Sequence, residues 1–185
     1  AGGGRNEKGL DTIISGSGYS KTMLGEVSGE ITPRVRKIAD AMDDADMKPF
    51  ISGQIITWLL PHCAFIAGLS AGVLKAGGTM EAFLKKREIV REAIMAVREG
   101  FHVCSAMGTD PKKEKVNKLY YLPLFICIPI VRKVFSDEAM QAMFDGYLRN
   151  SAKDVSRMLG DILLSGELQG VKTVSLRGLQ QDIFS

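Results

Sequence analysis

Two imidazoles, His62 and His102, are the only histidines in the chain, so proton transfer near neutral pH has few possible carriers. His62 stands four residues after Trp58, directly behind Pro61, in the uncharged segment Ile51–Leu74. The missing N–H of Pro61 loosens helical hydrogen bonding there and can open a kink and a pocket. His62 therefore reads either as a hydrogen-bonded histidine within a packed helix or as a ligand contact and proton carrier. His102, beside Phe101 on a charged amphipathic stretch, reads as structural. Asp154 lies between Ser151 and Val155, close to an apolar stripe, where a carboxylate needs a partner or a ligand. Lys153 and Arg157 offer the plainer alternative of a surface ion pair. Glu26, at a strand end flanked by glycines, suits either a turn or close approach to another domain.

Other chemistries are excluded. There is no G-x-S-x-G, no H-E-x-x-H and no G-K-[ST] phosphate loop. Gly2-Gly3-Gly4 precedes no strand-to-helix transition and reads as flexible chain. Two histidines cannot build a histidine-rich metal site. Cys63, Cys104 and Cys127 are odd in number, sit in apolar stretches and form no C-x-x-C pair, so neither disulfides nor zinc are expected, and a reducing, cytoplasmic setting fits. The net charge of +3 is small, and the cluster Lys112, Lys113, Lys115 and Lys118 is broken by Glu114 without interleaved aromatics. It reads as a solvated helix face, not a nucleic-acid surface. The small and charged first residues do not read as a signal peptide.

The elements that must position these residues are mostly helical. Asp11–Ser15 and Lys21–Val27 are short β-leaning runs around a Gly16-Ser17-Gly18-Tyr19-Ser20 turn, a hairpin that cannot stand alone. From Thr32-Pro33, a cap followed by a proline at the first helical position, a helix is predicted to near Asp46, and Met47–Ile51 is an extended link. Ile51–Leu74 is long enough to span a bilayer. Its Gln54, Thr57, Pro61, His62 and Ser70, with many glycines and alanines, make a central buried helix the expectation instead, with no membrane partner. Ala64, Gly68 and Gly72 form a small-residue stripe along it that lets another backbone approach. Thr79 caps a predicted helix with the stripe Phe83, Val90, Ile94, Val97, Phe101 and Cys104, ending at Gly108. Leu119–Val131, interrupted by Pro123 and Pro129, predicts a bent or broken helix. Ser136 opens a long helix with Met140, Phe144, Tyr147, Ser151, Val155, Met158 and Ile162 on one face, followed by a break at Gly166–Gly170 and a short helix Ser175–Phe184.

Met23-Leu24-Gly25-Glu26-Val27-Ser28-Gly29, Thr32-Pro33-Arg34-Val35 and Trp58-Leu59-Leu60-Pro61-His62 together resemble the ketopantoate reductase family in order and spacing, over nearly the whole chain. The resemblance implies a mainly α fold, a helical bundle like the C-terminal domain of 6-phosphogluconate dehydrogenase, preceded by a short β-hairpin remnant. Residues 1–30 would be a two-strand remnant of a nucleotide-binding domain, and 31–185 an all-helical domain for substrate and dimerisation. It implies a C-terminal fragment of an NADP-dependent reductase of a 2-oxo acid, forming a homodimer. The G-x-G-x-x-G would lie before residue 1, so the fragment itself would bind no cofactor and be inactive alone.

The family's catalytic lysine falls on Leu60, and its asparagines on Ala64 and Gly68, none of which hydrogen-bonds through its side chain. Its glutamate falls on Asp154. The expected catalytic residues are then His62 and Asp154, with Trp58 and Ser151 binding substrate. The alternative is a non-catalytic helical module for oligomerisation or ligand binding, using the Ala64, Gly68, Gly72 stripe and the 140-to-162 stripe as contact faces.

Overall fold

The computed structural model of the chain describes residues 2–6, 9–13 and 21–184, the first two stretches by their backbone only. These residues make a mainly helical protein, a bundle preceded by short strands. The chain divides into two compact units, Ala1–Leu59 and Leu60–Ser185.

In the first unit, β1 (Gly2–Asn6) pairs antiparallel with β2 (Gly9–Ile13), in register from Gly2↔Ile13 to Asn6↔Gly9. The glycine run expected to be flexible chain is thus part of a strand. β3 (Thr22–Leu24) pairs in parallel with β4 (Pro49–Ile51), and α1 (Pro33–Asp44) lies between them in sequence. This corrects the expected pairing of Asp11–Ser15 with Lys21–Val27. Asp11 to Ile13 pair toward the N-terminus, and only Thr22–Leu24 of the second run is strand. The intervening turn, 14–20, lies outside the described residues. A parallel partner must come from beyond a crossover, so no local turn signal announces it. For the same reason the expected boundary at residue 30 falls inside the first unit, since β3 needs β4.

Thr32 caps α1 by accepting the Val35 N–H at 3.2 Å, with Pro33 in the first turn as expected. The Thr32 hydroxyl also donates to Glu26 Oε1 at 2.6 Å, and Arg34 Nε donates to the same oxygen at 3.1 Å. Glu26 is therefore engaged within its own unit, and the Arg34 guanidinium, then the Thr32 hydroxyl, hold its carboxyl below the usual range. Beside it, a Cβ at Gly25 would stand 2.3 Å from the Ser52 carbonyl oxygen, so the chain crossing there requires glycine.

The second unit is built on α2 (Ile55–Ala76), within which the division between units falls, and α4 (Arg87–Ala106). α2 is long and apolar enough to cross a membrane; its Ala64, Ala67, Leu69, Ala71 and Val73 are buried in the core with Val90, Ala93, Ile94, Val97 and Phe101 of α4. Small residues set the spacing. An added Cβ at Gly68 would lie 2.9 Å from Val97, at Gly72 2.6 Å from the Ala93 Cβ, and at Gly100 2.9 Å from the Ala64 Cβ. The predicted single helix from Thr79 is in fact two, α3 (Met80–Lys85) and α4, parted at Lys86. Lys86 donates to the Ala76 carbonyl at 2.8 Å, tying the joint to the end of α2. No glycine or proline marks this break, so apolar spacing ran through it.

Two segments of 3-10 helix, Pro111–Lys113 and Lys115–Tyr121, lead to α5 (Leu124–Val134). The expected interruption falls at Pro123, while Pro129 is accommodated inside α5. α6 (Glu138–Leu168) is capped by Asp137, not Ser136, through the Met140 N–H at 2.9 Å, and it runs into the expected break. α7 (Val174–Phe184) follows. Carboxylates from neighbouring helices finish two helix starts. Asp145 of α6 accepts the Met80 N–H at 2.8 Å, and Glu99 of α4 accepts the N–H groups of Ser175 and Leu176, each at 2.9 Å, where negative charge is favoured.

The buried apolar side chains described on α6 are Phe144, Leu148, Val155, Leu159 and Leu163. Met140, Tyr147, Met158 and Ile162 of the expected stripe are only half-buried. Phe144 and Val155 of the expected stripe are thus in the core, and its other members lie along the margin of the core contact.

Gly72→Val drives a branched side chain into Ala93 and Phe83 and is expected to destabilise the protein by about 3 kcal/mol or more. Gly160→Ala on α6, where a Cβ meets nothing within 4 Å, is expected to stabilise it by about 0.5–1 kcal/mol. Thermal and urea unfolding of the two variants test both signs.

Candidate functional site

Within the second unit, two of the residues singled out from the sequence, Ser151 and Asp154, lie on α6. Tyr147, Ser151 and Asp154 follow one another at intervals of four and three, which places them on one side of a helix. Tyr147 and Ser151 are half-buried and Asp154 is exposed. The phenol of Tyr147 is hydrogen-bonded to Ser151 and lies within electrostatic reach of both Asp154 and Cys63 of α2. Burial first, and then the Asp154 charge, raise its pKa; the Ser151 bond works the other way. Tyr147 therefore stays protonated and can donate a hydrogen bond. Asp154 accepts, and Ser151 does either.

His62 precedes Cys63 on α2. Its ring is exposed, yet the protein around it displaces enough water to lower its pKa below the histidine value of 6.5. The same desolvation raises the Cys63 thiol. At neutral pH the imidazole is then chiefly uncharged, suited to hydrogen bonding or to accepting a proton, and less suited to delivering one. Asp154 carries negative charge and repels a carboxylate, so this face suits the hydroxyl or carbonyl of a ligand.

Of the four expected site residues, His62, Ser151 and Asp154 belong to the second unit. Trp58 belongs to the first, half-buried, with its backbone N–H donating to the Gln54 carbonyl at 3.3 Å. From the sequence, Tyr147 reads only as part of an apolar stripe. The Tyr147, Ser151, Asp154 spacing carried the missing signal.

The positions that the family resemblance gives to a lysine and two asparagines lie elsewhere on α2. Leu60 packs against the core, Ala64 is fully buried, and Gly68 is closed off by Val97. An asparagine at Gly68 would collide with α4. His62, two residues on from Leu60, points roughly 200° away around the helix, so it does not occupy the place a lysine at position 60 would take.

Among the described residues, the glycine run is not at the opening of a helix. Gly2, Gly3 and Gly4 lie inside a β-hairpin, not at a turn from strand to helix. A separate open groove, lined by Glu167, Thr173, Val174 and Arg177, lies roughly 20 Å along α6 from Asp154. There Arg177 is paired with Glu167 at 2.5 Å.

Because the folded state favours neutral His62, the unfolded chain takes up the proton first. The contribution of His62 to stability is thus complete above pH 6.5 and declines as pH falls through that value toward the folded pKa. Proton NMR titration should give a His62 pKa below that of His62 in the unfolded chain. His62→Gln should flatten the decline in urea midpoint between pH 7.5 and 5.

No family model and no curated protein matches this sequence. Among solved structures, the chain is similar to D-mandelate dehydrogenase in its ternary structure with NADH and anilino(oxo)acetate, with a TM-score of 0.66 and 14% identity. The match covers 88% of this chain and 50% of that one, so the chain spans about half the length of the protein it resembles. At this identity the likeness is one of fold alone, and it is not specifically to ketopantoate reductase.

Proposed function

We propose that this chain is the substrate-facing, dimer-forming helical part of a ketopantoate-reductase-like, NADP-dependent oxidoreductase that reduces the carbonyl of a 2-oxo acid. The observation that carries this reading is the fold likeness to half of D-mandelate dehydrogenase, a protein seen with NADH and anilino(oxo)acetate. The sequence motifs around Glu26, Thr32 and Trp58 point the same way. NADP would be held by a part of the protein outside these 185 residues, since Gly2, Gly3 and Gly4 are committed to a strand pair. The whole protein would be a cytoplasmic homodimer.

In this reading Asp154 and Ser151 accept and donate hydrogen bonds at the substrate's hydroxyl or carbonyl oxygen. Tyr147, kept protonated, adds a donor. His62 in its neutral form hydrogen-bonds the carbonyl, approaching from another side of α2 than a lysine at position 60 would. With Leu60, Ala64 and Gly68 apolar, the substrate would be less polar than ketopantoate, because lost hydrogen-bonding groups penalise a polar ligand.

A second reading is favoured by the closed seam at Ala64 and Gly68. A helix whose expected substrate-binding positions have become a packing surface fits a non-catalytic module for oligomerisation or ligand binding.

Fluorescence titration of the 185-residue chain with NADPH is expected to show no micromolar binding; such binding would overturn placing the cofactor elsewhere. A screen of the full-length protein against branched and aromatic 2-oxo acids should show NADPH oxidation. Tyr147→Phe should lower kcat/KM about tenfold through loss of one hydrogen bond. No turnover with any 2-oxo acid would favour the module.

A further inference from the structure

Helix α5 is apolar around almost its whole circumference, the pattern of a helix enclosed on every side. It is enclosed on one. Cys127, Ile128 and Val131 are buried, whereas Phe125 is 72% exposed, Val134 48%, and Ile126, Pro129 and Ile130 also face solvent. At helical spacing, Phe125 and Pro129 lead to Arg132, and Ile126 and Ile130 lead to Lys133, so the exposed apolar rows end in two cations.

The other end is basic as well. The Lys112 ammonium stands 4.5 Å from the centre of the Tyr121 ring, immediately before exposed Leu122, and exposed Lys118 lies close by in sequence. Residues 112–134 contain six Lys or Arg and one acid, Glu114, more positive charge than the net +3 of the whole chain.

This charge distribution selects the occupant. Two copies meeting through α5 would bring cations against cations in either orientation, at one end or across both. An apolar strip bounded by cations instead matches a surface with an apolar interior and anionic groups above it. The strip is the convex side of a single helix roughly 16 Å long, which settles into a fluid surface without needing a shaped groove.

We propose that the exposed half of α5 seats this chain on a phospholipid bilayer bearing anionic headgroups. Phe125, Ile126 and Ile130 enter the boundary of the acyl region, while Arg132, Lys133, Lys112 and Lys118 meet the phosphates. The seating is interfacial and spans nothing. It revises the expectation, drawn from the reading of α2, that no membrane is a partner.

Flotation of the 185-residue chain with phosphatidylcholine vesicles, alone and with 30% phosphatidylserine, tests the proposal. The chain should float with the anionic vesicles only, and 0.5 M salt should reduce the bound fraction severalfold. Phe125→Glu and Ile130→Glu, both at exposed positions, should each lower binding at least tenfold with an unchanged far-UV circular dichroism spectrum and melting temperature. Arg132→Ala with Lys133→Ala should weaken binding and reduce its salt dependence. Failure to float with anionic vesicles would overturn the proposal. So would equal binding by Phe125→Glu, or a dimer in light scattering that Phe125→Glu dissociates while no vesicle binding is seen.

Discussion

The close approach of α2 and α4 is the constraint on which the second unit depends. Gly68, Gly72 and Gly100, with Ala64 and Ala93 opposite, let the two helices meet almost backbone to backbone. Helices this close exclude water from most of the second half of α2, and they gain dispersion contacts in place of long side chains. The restriction is severe. Even Ser70, fully buried on α2, keeps a hydroxyl without a hydrogen-bond partner, an arrangement that costs about 1–3 kcal/mol.

Once that seam is set, the remaining helices are placed by polar contacts at its edges. Glu99 leaves α4 to cap α7, and Asp145 leaves α6 to cap α3. Lys75 of α2 joins Glu92 of α4 at 2.5 Å and Asp182 of α7 at 2.7 Å. Arg98 reaches the Tyr120 carbonyl at 2.6 Å, together with that of Leu122, and fixes the chain entering α5. The starts of α3 and α7 thus gain an acceptor from a distant residue, in α3 beside its local cap Thr79, so part of their stability is tertiary in origin.

The seam also decides where chemistry is possible. By occupying the side of α2 that bears Leu60, Ala64 and Gly68, it leaves polar function to other sides of the helix and to the margin of α6. Tyr147 and Ser151 are available because the core contact of α6 passes through Leu148, Leu159 and Leu163 instead. The half-buried setting of that margin keeps the phenol protonated, and desolvation on α2 favours the neutral form of the His62 imidazole; both states favour hydrogen bonding over charge.

Much of this protein follows from the sequence by itself. Thr32 with Pro33, Thr79, the uncharged run around Pro61 and the long apolar repeat after Ser136 determined the helical class and most helix starts, because capping and 3.6-residue periodicity are local properties. The small-residue stripe identified α2 as a helix that another backbone approaches. Only the tertiary structure decided that β3 pairs with β4 across α1, that Lys86 divides a continuous apolar pattern, and which edge of the α6 stripe faces the core. It also decided that Tyr147 and Cys63 belong with Ser151 and Asp154. Each of these depends on a partner far away in the chain, and periodicity reports which side of an element is apolar without reporting what will cover it.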